Sequence, residues 1–329
     1  MVGQIESRLS VALCTCNGER YLQEQLASIN LQTIQPTEMI ICDDCSVDQT
    51  MIILRKFKAI APFPVQIKTN ERRLGAAANF MQAIRMCQTE WVLLSDQDDI
   101  WMENRIACFI SAIQANPDAY IIQSDGLILR GEKRSQYEQL WRSHHLGNKA
   151  VQIIQTGHAE KLLPKQVFLT GAAMAVAHRF AIRVPNPASG FLHDEWLGWF
   201  AGNHIRLIPE ATFYYRQHNQ QITGVDNSIP SQIRRLIRPE DHTSVSLNAA
   251  VEKYQLLNRA MLDASIEISA VNIQNLGRKI KFLIKRSHFG NSTPIRIFRI
   301  CESLIYGHYW NYASGWRTLI KDLLHTDRL

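Results

Sequence analysis

The first half of the chain alternates short apolar runs with segments whose apolar residues recur every three or four positions. The apolar runs predict five buried strands, at residues 9–14, 39–42, 65–67, 91–95 and 119–122. The intervening segments have the period of helices with one apolar face, as Leu22, Leu26 and Ile29 illustrate. This alternation predicts an α/β fold with a doubly wound, mostly parallel sheet, whose ligands bind beyond the carboxyl ends of the strands.

Polar side chains come directly after three of the predicted strands, at the point where each strand ends. They are Thr15, Cys16 and Asn17 after the first strand, Asp43 and Asp44 after the second, and Asp96, Gln97 and Asp98 after the fourth. Because parallel strands end at one edge of a sheet, we expect these groups to share one crevice and to bind a nucleotide there. The carboxylates of residues 96–99 repel one another unless a cation lies among them, which favours a divalent metal carrying a phosphate-bearing ligand. A solvated acidic turn is the alternative for that cluster taken alone.

The composition is that of an ordinary globular protein. The chain has 329 residues, 46% hydrophobic and 20% charged, enough for one large domain or one domain with a substantial appendage. It has no run of eighteen apolar residues and no basic-then-apolar start, so neither a spanning helix nor a signal peptide is predicted. We therefore expect a cytoplasmic protein with reduced thiols. A zinc site at Cys14, Cys16, Cys42 and Cys45 is disfavoured by the C-x-C spacing of the first pair.

Positive charge is concentrated in the last third of the sequence. Residues 1–228 hold 21 basic and 22 acidic side chains, whereas residues 229–329 hold 15 and 8, within a formal net charge of +6. The basic amphipathic segments of this third fit either an anionic membrane surface or a helical subdomain packed on the sheet. Nucleic-acid binding is disfavoured because the cations are not interleaved with a stacking platform. Residues 126–168 are irregular and polar in sequence, and a mobile insertion is predicted there.

Three motifs carry a resemblance to a known family: TCNGERYL at 15–22, DDCSVDQT at 43–50 and SDQDDIW at 95–101. They resemble the inverting family-two glycosyltransferases with the GT-A fold. Together with HDEW at 193–196 and YRQH at 215–218, the third motif is most similar to the bacterial rhamnosyltransferase-like branch. The resemblance covers roughly residues 8–224. It implies a GT-A-like, Rossmann-like catalytic domain over residues 1–225 and a basic helical C-terminal region over residues 226–329.

The resemblance implies a donor-nucleotide site formed by Thr15, Cys16, Asn17, Glu19, Asp43, Asp44, Arg73, Asp96 and Gln97. In this interpretation Asp44 accepts a hydrogen bond from the nucleobase and Asp43 supports the loop. Cys16 stands where the family usually has a tyrosine that stacks on the base, so that contact is missing. Without the resemblance, Asp43 and Asp44 would be a turn with a helix cap, and Ser46-x-x-Gln49 has the form of a capping box that opens the next helix.

The metal and catalytic roles also come from the resemblance. Asp98 and His218 are expected to bind Mg²⁺ or Mn²⁺, with Asp96 supporting the ribose or the metal's water shell. Asp194 matches the general base at the start of a helix, and Glu195 is the nearest rival. Thr170 and Gly171, together with Glu195 and Trp196, are expected to form the loop where acceptor meets donor. The alternatives are that Asp194 merely caps its helix and that His218 is structural. His193 either orients the acid or is a surface histidine, and the surface position is the default expectation.

The resemblance therefore implies an inverting, metal-dependent hexosyltransferase. The leading donor is dTDP-L-rhamnose, with a UDP-hexose as alternative, and the acceptor is a lipid-linked or growing glycan in bacterial polysaccharide, O-antigen or cell-wall assembly. The enzyme would be cytoplasmic or peripheral on the inner face of the membrane. A nucleotidyltransferase would normally show a glycine-rich phosphate loop, which residues 17–19 are not. A non-catalytic sugar-nucleotide-binding protein would keep the fold without Asp194.

Overall fold

The computed structural model describes residues 8–130, 138–143, 146–218, 244–289 and 293–324. Its strands form one sheet in the order β3-β2-β1-β4-β8-β6-β9-β5, with β7 paired to β6. The strands are β1 (Leu9–Thr15), β2 (Glu38–Asp43), β3 (Val65–Thr69), β4 (Trp91–Ser95), β5 (Ile100–Trp101), β6 (Ile121–Arg130), β7 (Glu138–Gln139), β8 (Met174–Ala177) and β9 (Ile205–Gln217).

Helices cover the sheet and form the end of the chain. Those of the sheet region are α1 (Leu22–Asn30), α2 (Thr50–Ile60), α3 (Ala76–Met86), α4 (Arg105–Ala115), α5 (Leu140–Ser143), α6 (Asn148–Gln155), α7 (His178–Ala181) and α8 (His193–Ala201). Those of the C-terminal region are α9 (Ser244–Asp263), α10 (Ala270–Ser287), α11 (Thr293–Ile305), α12 (His308–Tyr312) and α13 (Trp316–Leu324). In the described part of the chain, no helix combines the length and apolar character needed to cross a bilayer.

The predicted α/β fold with a mostly parallel sheet is confirmed. Strands β3, β2, β1 and β4 run parallel, and every residue of β1 and β4 is buried, as expected for strands covered on both faces. Strand β8, which was not among the five predicted strands, lies between β4 and β6 and runs antiparallel to both. Its sequence, MAVA, is too short and too small-sided to stand out from a buried turn. The fifth predicted strand begins at Ile121 and runs on to Arg130.

The prediction of a mobile insertion at residues 126–168 is wrong for much of that segment. Strand β6 extends into it, and Trp141 anchors the stretch after β7, donating from Nε1 to the Ser124 carbonyl at 3.1 Å and from its backbone N–H to Asp125 Oδ1 at 3.0 Å. Leu140 and Ile154 are fully buried. Buried apolar side chains spaced along a polar sequence therefore fix its course. Residues 131–137 and 144–145 lie outside the described residues.

The C-terminal helices belong to two separate apolar clusters. Leu257 and Met261 of α9 and Leu276 and Ile280 of α10 belong to the same apolar core as the sheet. The helices α11–α13 share a second cluster, built around Ile300, Tyr309 and Leu319 with Phe282 and Phe289. Of the two alternatives from sequence, packing on the sheet is therefore the one that α9 and α10 follow. A domain boundary at residue 225 stays a prediction, because residues 219–243 are not described.

Lys279 of α10 is a buried cation at the junction of these helices. Its Nζ donates to the Pro164 carbonyl at 2.8 Å and lies 4.7 Å from the centre of the Tyr254 ring. Burial lowers the pKa of Lys279 from 10.5 to about 8. Between these values the unfolded chain binds a proton that the folded protein does not, so this residue's contribution to stability rises with pH.

We expect this effect to be visible when the wild type is compared with a Lys279→Met variant. As pH rises from about 8 to 10.5, the difference in the free energy of unfolding should shift by about 3 kcal/mol in favour of the wild type. Urea unfolding at several pH values measures it. Lys281→Met, which changes an exposed lysine on the same helix, is the matched control and should show no comparable shift. An unchanged difference across this range would contradict an unusual pKa at Lys279.

Candidate active site

The ends of β1 and β2 are joined by a buried carboxylate. In register, Thr15 lies beside Asp43, and Thr15 Oγ1 donates to Asp43 Oδ1 at 2.7 Å. Asp43 also accepts from the Ser46 hydroxyl at 2.6 Å and from the Ser46 backbone N–H at 2.9 Å. Asp43 is fully buried. Because it bonds both Thr15 and Ser46, it holds together the loops that follow β1 and β2. The capping-box prediction is wrong: Ser46 bonds Asp43, and Gln49 at the start of α2 makes no side-chain cap.

The loop at residues 15–19, here called the donor loop, is held against residues 46–50. The Asn17 N–H donates to Ser46 Oγ and Asn17 Oδ1 accepts from the Val47 N–H, at 2.8 and 2.9 Å. Glu19 Oε2 accepts from the Gln49 N–H at 2.9 Å. Asn17 has a φ of 51°, a conformation that asparagine tolerates better than most residues. Asn17 and Glu19 therefore fix the position of the donor loop by hydrogen bonds to residues 46–49.

Gln97 connects the donor loop to the acidic motif at the end of β4. The Cys16 N–H donates to Gln97 Oε1 at 2.8 Å, and Gln97 Nε2 donates back to the Cys16 carbonyl at 3.2 Å. A Cβ on Gly18 would lie 2.3 Å from Gln97 Oε1, so a larger residue there would displace the Gln97 side chain from the donor loop. Burial raises the pKa of the Cys16 thiol, and the nearby charge of Arg73 opposes that rise. Arg73 is exposed beside this loop, where an anionic ligand could reach it.

Asp44 organises the segment that leads into α3. Its Oδ1 accepts from the Leu74 N–H at 2.7 Å and from Asn70 Nδ2 at 2.9 Å, and its Oδ2 accepts from the Gly75 N–H at 2.9 Å. A carboxylate offers about four acceptor positions, so one position on Oδ2 remains for a donor such as a nucleobase N–H. The sequence did not reveal that Asp44 also holds the loop carrying Arg73.

Three carboxylates come together beyond β4. Oxygen atoms of Asp96, Asp98 and Asp99 lie within 4.8 Å of one another. Burial, followed by the charges of Asp98 and Asp194, raises the pKa of Asp96 to about 8. Burial, followed by the charges of Asp98 and Asp96, raises the pKa of Asp99 well above its ordinary value. Among the described residues Asp99 Oδ2 is buried without a hydrogen-bond partner. A hard cation with oxygen ligands would relieve this repulsion.

The sequence placed Asp99 in the acidic cluster without giving it a role of its own, and it did not single out Tyr21 and Arg216, which support the cluster. His218 Nε2 lies 2.7 Å from Asp98 Oδ2, and its ring packs on Tyr21 with centroids 4.9 Å apart. The guanidinium of Arg216 lies 4.6 Å from the centre of the Tyr21 ring, and its Nε donates to the Asp98 carbonyl at 2.8 Å. Both Tyr21 and Arg216 lie inside motifs quoted for the resemblance, which was the available signal.

Asp194, in the first turn of α8, lies near the acidic cluster. Its Oδ2 accepts from the Gly171 N–H at 3.0 Å, and its Oδ1 accepts from the Glu195 N–H at 2.7 Å. The side chain is buried, and its charge contributes to the raised pKa of Asp96. The Thr170 N–H donates to Gln123 Oε1 at 2.7 Å, which fixes the loop at residues 170–171 on β6. The structure thus brings Asp194, this loop and the acidic cluster together.

His193 is buried, so its interpretation as a surface histidine is wrong. The imidazole stacks on Phe80 with centroids 4.1 Å apart, and burial lowers its pKa to about 3. It is therefore neutral at physiological pH. A Cβ on Gly171 would lie 2.2 Å from His193 Nε2. Glycine is required at 171 because this ring fills the space.

Glu195 and Trp196 do not line the acceptor side, contrary to the prediction from sequence. Glu195 turns toward α9, where it pairs with Lys253 at 2.8 Å and accepts from the Tyr254 hydroxyl at 3.1 Å. Trp196 is fully buried and donates from Nε1 to the Pro185 carbonyl at 2.9 Å. Of the two acids at the start of α8, Asp194 is therefore the one placed near the acidic cluster.

Comparison with known proteins identifies the family. The family described as Glycosyl transferase family 2 matches residues 10–183, more than half of the chain. The chain belongs to glycosyltransferase family 2. A dTDP-rhamnosyl transferase, RfbG of Shigella flexneri, is 27% identical over 241 residues, covering 68% of this chain and 78% of that protein. The poly(ribitol-phosphate) β-N-acetylglucosaminyltransferase TarS of Staphylococcus aureus is 31% identical over 138 residues, 40% of this chain and 23% of TarS.

Solved structures show the GT-A glycosyltransferase fold. Residues 1–349 of S. aureus TarS, in complex with UDP-GlcNAc, superpose with a TM-score of 0.55 at 17% identity, covering 95% of this chain and 90% of that one. The mannosyltransferase PcManGT of Pyrobaculum calidifontis, in complex with GDP-Man and Mn²⁺, superposes with a TM-score of 0.53 at 15% identity, covering 96% and 85%.

A buried arginine in this family-2 glycosyltransferase connects the acidic motif to the loop at residues 170–173. Arg105, at the start of α4, is fully buried and donates to the Ala172 carbonyl at 2.7 Å and to Thr212 Oγ1 at 2.5 Å. Burial lowers the pKa of Arg105 to about 9, and the charge of Asp99 opposes that shift. Arg105 therefore provides a buried positive charge behind the acidic cluster. Its position ten residues after β4 was its only signal in the sequence.

The ion pair between Glu195 and Lys253 anchors the helix that carries Asp194. We expect Lys253→Met in this glycosyltransferase to lower the free energy of unfolding by about 1–3 kcal/mol, because it leaves the mostly buried Glu195 without its cation. Urea unfolding measures the loss. Lys58→Met, which changes an exposed lysine in α2, is the control. Adding Glu195→Gln to Lys253→Met should restore part of the stability. A Lys253→Met variant as stable as the control would contradict this role.

Proposed function

We propose that this glycosyltransferase transfers a sugar from a nucleotide-diphospho-sugar to a hydroxyl group, with inversion at the anomeric carbon. The observation that carries the proposal is that the donor loop, the acidic cluster and Asp194 are neighbours. Gln97 bonds the donor loop directly, and Asp96 lies close enough to both Asp98 and Asp194 for their charges to raise its pKa. Donor, cation and acceptor hydroxyl could therefore meet at one place.

Donor binding would use the rim formed by β1 and β2. The one free acceptor position on Asp44 Oδ2 suits an imide N–H of uracil or thymine. The donor loop would place its backbone groups around the base, held by Thr15, Cys16 and Asn17. Arg73 is near enough to Cys16 to act on its pKa, and its guanidinium could reach a phosphate oxygen. Cys16 supplies no aromatic ring, so stacking would contribute little to donor affinity.

The acidic cluster fits a hard divalent cation. The unpartnered oxygen of Asp99 and the raised pKa values of Asp96 and Asp99 indicate excess negative charge. Asp96, Asp98 and Asp99, with His218 beside Asp98, would hold Mg²⁺ or Mn²⁺. When bound, such an ion neutralises charge on the diphosphate of the departing nucleotide. Arg216 and Tyr21 keep His218 and the Asp98 backbone in position.

Asp194 would act as the general base. As the acceptor oxygen bonds to the anomeric carbon and the bond to the diphosphate breaks, the hydroxyl proton passes to a carboxylate oxygen of Asp194. The Gly171 N–H and the amino end of α8 stabilise the ionised carboxylate before the reaction. The expectation that Gly171 leaves room for the acceptor is not met, because Gly171 is buried and the absence of a Cβ makes room for the His193 ring.

The donor we favour is dTDP-L-rhamnose. Support comes from the Shigella flexneri relative, a dTDP-rhamnosyl transferase that this chain matches over 78% of its length. A UDP-hexose is the alternative, supported by the TarS structure with UDP-GlcNAc. The acceptor would be a lipid-linked or growing glycan in bacterial polysaccharide, O-antigen or cell-wall assembly, which would place the enzyme in the cytoplasm or at the inner face of the membrane.

A donor panel tests the proposal. The purified protein is incubated with dTDP-L-rhamnose, UDP-glucose, UDP-GlcNAc or GDP-mannose, with Mn²⁺ or with EDTA, and the released nucleoside diphosphate is quantified. We expect cation-dependent release of dTDP, at a rate well above that for the other donors. Faster release of UDP would favour the hexose alternative. Consumption of added pyrophosphate to give a nucleoside triphosphate and a sugar 1-phosphate would overturn the transferase mechanism, as would no binding of any donor. Proton NMR of the transfer product reads the anomeric configuration.

A further inference from the structure

Helix α11 buries Ile300 in the second apolar cluster, but it exposes several other large apolar side chains and buries two polar ones. Phe298 is 69% exposed and Ile305 is 82% exposed, and Ile295 lies on the same side of the helix. On the opposite side, Arg296 is 9% exposed and Ser303 is fully buried. Among the described residues, Arg296 Nε and Ser303 Oγ have no hydrogen-bond partner. A helix that faced only water would not be expected to have this arrangement, because large exposed apolar patches in proteins usually mark a binding surface.

The turn after α11 and the next two helices also expose large apolar side chains. Tyr306 is 66% exposed and Trp316 is 64% exposed, and Trp310 is also exposed. The rings of Trp310 and Trp316 pack edge to face with centroids 5.2 Å apart, which holds both indoles in place at the surface. We call the set Phe298, Ile305, Tyr306, Trp310 and Trp316, together with Ile295, the apolar face.

The segment that carries the apolar face is strongly basic. Residues 270–324 contain nine lysines and arginines and two acids. Both acids are paired inside the segment: Asp322 forms a buried ion pair with Arg286 at 2.6 Å, and Glu302 pairs with Lys285 at 2.8 Å. The remaining cations include Lys281, which is exposed, and Arg299, which is half-exposed on α11. The apolar face therefore lies in a field of positive charge.

We propose that the apolar face docks on the surface of an anionic phospholipid bilayer. Tryptophan and tyrosine favour the membrane interface, since one part of each ring system is apolar and another can hydrogen-bond to water. Lysines and arginines near the surface add electrostatic attraction to anionic headgroups. The helices would lie in the plane of the interface with their apolar residues inserted.

Charge argues against a second copy of the chain as the occupant. Two copies joined through this surface would bring two segments of net charge +7 together, and like charges across an interface are unfavourable. An anionic bilayer has the opposite sign. The docking does not depend on the proposed transferase reaction, so a protein that binds vesicles but turns over no donor would leave this inference standing.

Sedimentation with lipid vesicles tests the inference on the full chain. We expect binding to vesicles of phosphatidylcholine and phosphatidylglycerol, and weak binding to phosphatidylcholine alone. Phe298→Ser combined with Trp316→Ser should weaken binding to the anionic vesicles by about tenfold or more. Leu31→Ser combined with Ile60→Ser is the matched control, because Leu31 and Ile60 are 64% and 74% exposed in another part of the protein.

The charge contribution is tested separately. Lys281→Gln combined with Arg299→Gln should weaken binding to anionic vesicles while preserving the residual binding to neutral ones, and added salt should have the same effect. Circular dichroism melting shows whether each variant is folded. Failure of the wild type to bind anionic vesicles would overturn the inference, as would equal binding by the Phe298→Ser/Trp316→Ser variant. So would a dimer in light scattering that this double variant dissociates, because the occupant would then be a second copy.

Discussion

Replacement of Asp194 by asparagine is expected to lower kcat for sugar transfer by about a thousandfold. Asparagine keeps the shape of the side chain and can still accept the Gly171 N–H, but it cannot take the proton of the acceptor hydroxyl. Because Asp194 lies outside the donor loop, the affinity for the nucleotide-sugar should change little. Steady-state transfer kinetics and calorimetric titration with donor and Mn²⁺ measure the two quantities independently.

Glu195→Gln is the control for Asp194→Asn. Glu195 is adjacent in sequence but pairs with Lys253 and Tyr254, so its substitution should affect stability far more than the chemical step. A large loss of kcat in Glu195→Gln together with full activity in Asp194→Asn would reverse the assignment of the base. Undiminished transfer by both variants would exclude either acid from that role.

The second large effect is expected from Asp98→Asn. This change removes one carboxylate from the acidic cluster and the partner of His218 Nε2, so Mn²⁺ affinity should fall by about a hundredfold or more. Donor turnover should fall in parallel at ordinary Mn²⁺ concentrations and recover in part when the ion is raised. Calorimetry with Mn²⁺ and turnover against Mn²⁺ concentration provide the measurements.

Glu24→Gln controls for general loss of negative charge near the cluster. Glu24 pairs with Arg216, whose guanidinium lies over the Tyr21 ring, and is largely exposed, so its removal should leave Mn²⁺ affinity within about threefold of wild type. If Asp98→Asn bound Mn²⁺ as tightly as the wild type, the acidic cluster would not be a metal site.

The sequence predicted the strands of the sheet better than their arrangement. Strands β1, β2 and β4 are continuous apolar runs that end in polar residues, and both features result from burial between helices and an open carboxyl edge. The direction of β8 could not be read from its four small residues, because strand direction depends on contacts with β4 and β6.

The same distinction between local sequence patterns and long-range contacts holds in the site. Asp98, His218 and Asp194 lie in motifs, which is why they could be proposed from the sequence. The burial of His193 instead depends on Phe80 and Gly171, which are far away in sequence. Local patterns also misled in one case. Ser46 has the spacing of a capping residue, yet its hydroxyl donates to the carboxylate of Asp43, and α2 begins without a side-chain cap.

The packing of α9 and α10 limits how this enzyme could be rebuilt. Their side chains Leu257, Met261, Leu276 and Ile280 complete the interior that the sheet begins, and Lys253 reaches the helix of the proposed base. A chimaera cut near residue 225 would leave that interior open to water unless the grafted helices matched its shape. A new substrate specificity is therefore easier to obtain by substitutions around the proposed active site than by exchange of the C-terminal helices between related enzymes.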